Sequence, residues 1–457
     1  MEFKQEKVLV LGAGISGLAA ARLLQSLGAE TALSDAKQAK DLAVDLTELR
    51  AAGIRILLGE QQEKQLDGVS LVVVSPAVPV RIPLIQAAIA RGIEVISEIE
   101  LAYRLAKAPI YAVTGTNGKT TTVTLLGLLL QTQYGQEHTG VGGNIGVPLC
   151  EEVMRVGHEG CTVAEISSYQ LEAAVDFRPK IAAVLNVTPD HVVRHGSLAV
   201  YQQTKEKIFA RQTKEDYLVL NYDDPHTHAM AERAQSTVFF FSRQKKLIEG
   251  ACLENGRLFI RWQGKTCPLC RADELGIKGS HNIENALAAA SAAFLAGVDI
   301  SDMIGVLKSF QGVEHRIEPV CTIDGVAYYN DSKATNTDSA IKALETFAGH
   351  IVLLAGGDDK MTDLTDFMQL VVERADELIL LGNAAARFKK AALQQDFAVE
   401  HIHEAGYSME KAVAMAHELA RPPQVVLLSP ACASFDMFSG YEERGRKFKE
   451  LVRQFCV

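Results

Sequence analysis

Residues 112–122 read AVTGTNGKTTT, directly after an apolar run and directly before an amphipathic helical pattern. That order is strand, glycine-rich loop, helix, and its chemistry is phosphate binding. Backbone N–H groups of Gly115, Thr116, Asn117 and Gly118 can point at phosphate oxygens, with the positive end of the next helix behind them. Lys119 adds a point charge, and the Thr120 hydroxyl, with Thr121 beside it, suits a hard cation such as Mg²⁺. Val113 stands where a strict GxxxxGK[ST] loop would have its first glycine. A second loop, Gly12-Ala13-Gly14-Ile15-Ser16-Gly17, fits GxGxxG, and Asp35 ends the following strand-like run. This is the dinucleotide fingerprint with an acidic residue near a ribose position; it predicts a nucleotide without specifying NAD.

Elements that could position these loops recur along the chain. Strand-like runs at 8–12, 31–35, 55–59, 71–77 and 94–98 alternate with helical patterns, as in a doubly wound parallel layer. A second set at 110–115, 161–167, 180–191 and 216–224 places Glu165, His191, Asp223 and Asp224 just after apolar stretches. In an open parallel sheet those positions line the ligand crevice. A more irregular β segment spans about 236–272, and a third set of strand-like runs lies at 326–332, 350–357, 377–383 and 424–431. The expected domains are 1–97, 98–312 and 313–457.

Composition narrows the function classes. The chain has 457 residues, 48% hydrophobic and 22% charged, as in ordinary globular cores, and two to four domains are expected. A net charge of −10 argues against nucleic acid or an anionic membrane as partner. The glycines at 12, 14 and 17 interrupt what would otherwise imitate a signal peptide, and no run is long enough to span a membrane. Eight scattered cysteines suggest reduced thiols in the cytoplasm, and the lone Cys267-Pro-Leu-Cys270 reads as coincidence.

Eight segments occur in this order: TGTNGKTT, Glu165-Ile-Ser-Ser-Tyr-Gln-Leu-Glu172, Asn186-Val-Thr-Pro-Asp-His191, Tyr201-Gln-Gln-Thr-Lys205, His281-Asn-Ile-Glu-Asn285, His315-Arg316, Asn330-Asp-Ser-Lys-Ala-Thr-Asn336 and Ser429-Pro-Ala-Cys-Ala-Ser-Phe-Asp436. Together they resemble the Mur ligases, the ATP-dependent amide-forming enzymes of peptidoglycan precursor synthesis, over essentially the whole chain. The resemblance implies an α/β protein of three domains, Rossmann-like at the N-terminus, P-loop ATPase-like in the centre and Rossmann-like at the C-terminus. DSKATN, SPACAS and the N-terminal GxGxxG point to the branch that adds D-glutamate to UDP-N-acetylmuramoyl-L-alanine through an acyl phosphate.

Site residues follow from the same resemblance. Lys119 and the loop amides would hold the β- and γ-phosphates, with Thr120 and Glu165 on one Mg²⁺ and His191 and a carbamylated Lys205 on a second. Asn282 and Asn285 would meet the adenine, Arg316 a phosphate, Asp331 the ribose, and Lys333 the transferred phosphoryl group. Gly14, Ile15, Ser16, Asp35, Lys37 and Ser75 would hold the uridine diphosphate; Asn144 and His191 would contact the substrate attached to it. Thr335, Lys360, Ser434, Phe435 and Tyr441 would take D-glutamate, although the doublet Asp358-Asp359 makes that neighbourhood acidic. A monomer is expected. A ligase for another amino acid, an NAD-dependent oxidoreductase and a non-catalytic nucleotide switch are the competing readings; the oxidoreductase leaves the phosphate loop, Glu165 and His191 unexplained, and the switch predicts tight ATP binding without acceptor-dependent turnover.

Overall fold

The computed structural model describes residues 3, 4, 6–42, 46–189, 192–359 and 361–456. Among them the strands form three sheets. The first holds β1 (Lys7–Leu11), β2 (Glu30–Asp35), β3 (Arg55–Leu58), β4 (Leu71–Val74) and β5 (Glu94–Ser97) in the order β3-β2-β1-β4-β5. Every pairing is parallel. Val8, Leu9, Val10 and Leu11 are all buried because helices cover both faces, which is why β1 reads as a continuous apolar run. The strand order reverses beside β1, and the glycine loop leaves the chain there.

The second sheet contains β6 (Ile110–Thr114), β7 (Thr139–Gly143), β8 (Cys161–Glu165), β9 (Ile181–Val184), β10 (Tyr217–Asn221), β11 (Thr237–Ser242), β12 (Gly250–Glu254), β13 (Arg257–Trp262) and β14 (Lys265–Arg271). Its order is β14-β13-β12-β11-β10-β9-β6-β8-β7. It is parallel from β7 across to β12 and ends in an antiparallel meander, the irregular segment of the sequence. The third sheet, β15 (Glu318–Ile323), β16 (Val326–Asn330), β17 (Ile351–Gly356), β18 (Ala375–Leu381), β19 (Ile402–Gly406) and β20 (Val425–Leu428), runs β15-β16-β20-β17-β18-β19. Only its β15 edge is antiparallel.

The chain divides into two compact units, residues 1–275 with 283–309, and residues 276–282 with 310–457. Within the first unit, Arg194 ties the two sheets together. It forms a bidentate pair with Glu172 at 2.9 and 2.7 Å and also donates to the carbonyl of Val78 at 3.2 Å. Within the second unit the thiol expectation needs correction: Cys321 on β15 and Cys456 form a disulfide. A terminal helix, Tyr441–Arg453, packs along β15, and the turn beyond it delivers Cys456 to that strand. Cys267 and Cys270 are free thiols. No helix among the described residues is long and apolar enough to cross a membrane.

Candidate active site

The phosphate loop links β6 to the helix Lys119–Tyr134. Gly118 has φ +84°, and a Cβ there would collide with Asn285 Oδ1, so only glycine fits. The loop is braced from the neighbouring strand. Asn186 Oδ1 accepts from Thr116 N at 3.0 Å and Asn117 N at 2.8 Å, while its Nδ2 donates to Asn117 O at 3.1 Å. Thr116 Oγ1 accepts from Thr188 N at 3.0 Å and lies 3.3 Å from the Tyr201 hydroxyl.

Two lysines converge on this loop. Lys119 Nζ donates to the carbonyls of Gly115 and Thr116 at 2.8 and 2.7 Å. Lys205, on the helix Leu198–Glu206 and only 1% exposed, donates to Gly115 O at 2.8 Å, with its ammonium over the Tyr201 ring. Thr120 and Thr121 are buried at the helix start. Glu165 ends β8, 3% exposed; its Oε1 accepts from Asn144 Nδ2 at 2.8 Å, whereas Oε2 is buried with no hydrogen-bond partner among the described residues. A buried, unsatisfied carboxylate oxygen is costly unless a cation or donor meets it. Glu165 pairs with Val113 on the strand that leads into the phosphate loop, and an unsatisfied carboxylate oxygen there fits Mg²⁺, which prefers hard oxygen ligands. Asn285 belongs to the same group, accepting from Thr122 Oγ1 at 3.4 Å. His191 lies outside the described residues.

The N-terminal loop is built differently. Gly12 has φ +98°, and a Cβ on Gly17 would strike the Gly12 carbonyl, so the helix Ile15–Ser26 packs tightly against the turn. Asp35 accepts from Ala13 N at 2.7 Å and from Lys37 N at 2.8 Å. Both carboxylate oxygens therefore hold backbone. Ser75 is buried against Gly12, and Gly14 leads to Ile15, which is 72% exposed at the loop tip, and Ser16.

In the second unit, Asp331 follows β16 and is 3% exposed. Burial pushes its carboxyl up to about 7, against the opposing pull of Arg316. Its oxygens accept from Ser429 Oγ at 2.8 Å and Ile317 N at 3.2 Å. The Arg316 Nε is buried without a partner among the described residues. Lys333 approaches the Tyr441 hydroxyl at 3.4 Å, and Thr335 N donates to Lys333 O at 2.8 Å. Asn282, in the first turn of the helix Ser280–Leu295, donates to Lys278 O at 2.7 Å. Ser434 is buried and Phe435 is 72% exposed. Lys360 lies outside the described residues.

Two arginines not singled out from sequence organise this region. Arg444, 1% exposed, donates to Ser332 Oγ and O at 2.9 and 2.8 Å, and to the carbonyls of Cys432 and Ala433 at 3.1 and 2.9 Å. It thereby joins the DSKATN and SPACAS loops. Arg387 grips Asp359 at 2.6 and 2.7 Å and holds that carboxyl below its ordinary range. The acidic doublet is thus half neutralised. In the first unit, Asn186, read from sequence only as the start of a motif, is the brace of the phosphate loop, and its place straight after an apolar strand was the available signal.

Three family models match in chain order. They are a Mur ligase MurD-like N-terminal domain over residues 6–97, a Mur ligase middle domain over 113–293 and a Mur ligase glutamate ligase domain over 315–432. A UDP-N-acetylmuramoylalanine–D-glutamate ligase of Pelotomaculum thermopropionicum is 48% identical over 451 residues, 99% of this chain and 98% of its own. The chain belongs to the Mur ligase family. Another enzyme of that printed name, from Caldanaerobacter subterraneus subsp. tengcongensis, is 45% identical to this Mur ligase, with 99% of both chains covered. Among solved structures, a pseudomurein peptide ligase type C from Methanothermus fervidus superposes with a TM-score of 0.60 at 20% identity, covering 98% of this chain and 100% of its own. The UDP-N-acetylmuramate–alanine ligase of Thermotoga maritima gives 0.59 at 20%, covering 98% and 99%. At that identity they establish that this Mur ligase has the three-domain α/β fold.

Proposed function

We propose that this chain is an ATP-dependent ligase that joins D-glutamate to UDP-N-acetylmuramoyl-L-alanine, in the cytoplasm and as a monomer, with domains 1–97, 98–312 and 313–457. The observation that carries the substrate assignment is near-full-length identity of 48% to a ligase of that name. The phosphate loop and the unsatisfied Glu165 oxygen support the chemistry.

The substrate's terminal carboxylate attacks the γ-phosphorus of ATP, the bond to the β,γ-bridging oxygen breaks, and ADP leaves. The D-glutamate amine, after losing a proton, attacks the acyl-phosphate carbon, and inorganic phosphate departs as the amide forms. Such transfers depend on alignment and charge more than on a protein nucleophile. Lys119, the amides of Gly115 and of Gly118 to Thr121, and Arg316 bind and orient the phosphates, while Thr116 and Asn117, whose amides donate to Asn186, hold the shape of the loop. Asn282 and Asn285 orient the base, and Asp331 the ribose. Lys333 places positive charge by the moving phosphoryl group, while Thr335, Lys360, Ser434, Phe435 and Tyr441 fix the amino acid. Gly14, Ile15, Ser16, Asp35, Lys37 and Ser75 hold the uridine diphosphate, with Asn144 and His191 toward the reacting end. Thr120 and Glu165 would hold one Mg²⁺, and His191 with carbamylated Lys205 another. Bound there, Mg²⁺ supplies positive charge to the phosphoryl oxygens.

The deciding experiment is phosphate release with Mg-ATP and UDP-N-acetylmuramoyl-L-alanine, in parallel with D-glutamate, L-glutamate, L-alanine or no amino acid. Release only with D-glutamate, giving a product heavier by one glutamyl residue, is expected. Turnover with another amino acid alone overturns the acceptor assignment. For Lys205, ¹³C-bicarbonate labelling should give a carbamate resonance that Lys205→Ala abolishes, and short carboxylates should restore part of that variant's turnover; full activity of Lys205→Ala without them would sink the carbamate.

A further inference from the structure

The turn that presents Arg316 is conformationally unusual. His315 has φ +67° and Ile317 φ +43°, both in the left-handed region, where a β-branched residue is a genuine outlier. Such a turn persists only where surrounding contacts over-determine it. The contacts are specific. Glu318 Oε2 accepts from His315 N at 2.9 Å and Asn330 Nδ2 at 3.0 Å, and Ile317 N donates to Asp331 Oδ1. Lys333 N donates to His315 O at 3.0 Å, and Gly445 leaves space for the His315 ring, which a Cβ would enter.

The carboxylate that organises this turn depends on one cation. Lys449, 7% exposed on the helix Tyr441–Arg453, donates to Glu318 Oε1 at 2.9 Å and to Glu314 Oε1 at 2.7 Å. It bridges the carboxylates at the two ends of the turn and neutralises their repulsion. Without it, Glu318 keeps its negative charge with one of its three hydrogen bonds gone, and a carboxylate 23% exposed would turn to water. We propose that Lys449 is a positioning residue: by clasping Glu314 to Glu318 it holds the left-handed turn that aims Arg316 at a nucleotide phosphate. The inference deepens the reading of Arg316 given under the proposed function and rests on it.

The test is a double-mutant cycle on the full chain, read as affinity for a fluorescent ATP analogue and as separate KM values for ATP and D-glutamate. Lys449→Met should weaken the nucleotide by roughly ten- to a hundredfold, the scale of effect that misplacing a group by about an ångström brings, with the D-glutamate KM within about twofold. Lys449→Arg should recover most of the loss. In an Arg316→Ala background Lys449→Met should add almost nothing, because the group it aims is gone. An unchanged nucleotide affinity, or a loss that persists in the Arg316→Ala background, overturns the proposal. If Lys449→Met does not fold, Glu314→Gln opens the same clasp more gently and should show the same coupling to Arg316. A wild-type protein without D-glutamate-dependent phosphate release refutes the ligase reading alone; the nucleotide-binding cycle still decides the role of Lys449.

Discussion

The chain carries two glycine-rich loops, each between a parallel strand and a helix, and they are braced in opposite ways. The loop after β1 is held by its own neighbourhood: a carboxylate from the next strand, Asp35, and close packing of Gly17 on the Gly12 carbonyl. It carries no lysine, and its tip residue Ile15 is exposed. The loop after β6 is cross-linked from distant positions, by the side chains of Asn186 and Lys205 and the backbone N–H of Thr188, and holds an ammonium of its own. Similar backbone designs thus serve different tasks. The first loop offers backbone amides with no lysine among them; the second concentrates fixed charge, as the breaking of bonds to phosphorus demands.

That contrast predicts unequal consequences of mutation. Removing charge from the second loop should be the most damaging: Lys119→Ala or Glu165→Ala should lower kcat by roughly a thousandfold or more, as chelation of Mg²⁺ should, measured by phosphate release. A variant that keeps a tenth of its turnover would break the distinction between the loops. Next comes the brace. Asn186→Ala takes the side-chain acceptor from Asn117 N and leaves Thr116 N only the Asn186 carbonyl, so it should weaken ATP by about tenfold, read by titration with a fluorescent ATP analogue. In the first loop, Asp35→Ala should raise the KM for the nucleotide-sugar substrate by about tenfold with kcat nearly unchanged, since it removes binding common to ground and transition states. A fall in kcat instead would place the first loop in the chemistry.

The smallest effect lies where the halves of the first unit meet. Glu98, 1% exposed at the start of the helix Glu98–Leu105, accepts from Cys150 N at 2.7 Å, and burial lifts its carboxyl to about 7 from an ordinary 4.5. Between those two values the folded protein holds a proton that the unfolded chain has lost. Its contribution to stability therefore falls as pH rises from 4.5 to about 7 and is lowest above. Glu98→Gln copies the protonated form, so it should raise the melting temperature by a few degrees at pH 8 and change little at pH 4. Equal shifts at both pH values would contradict this.

Much of this architecture was legible because parallel strands buried on both faces write themselves as apolar runs, as β1, β4 and β17 do. The strands that escaped notice lack that signature. β7 reads TGVGG, three glycines that weaken any strand signal; β15 begins Glu-Pro at a sheet edge; β19 reads IHEAG, with two of its five residues polar. The phosphate loop, Glu165 and Lys205 were visible as types at meaningful positions. Arg387, Arg444 and Lys449 were not, because a positioning residue shows itself only through partners far away in sequence: Lys449 and Glu314 are 135 positions apart. Asp35 and Asp331 add a further lesson, for both spend their oxygens on backbone or hydroxyl donors of the protein itself.

Arg444 follows both loops that it joins in chain order. A ribosome makes the phosphate loop first, DSKATN later, SPACAS later still, and the guanidinium that fastens the last two only afterwards. An incomplete chain therefore possesses its phosphate loop before the two later loops are fastened to each other.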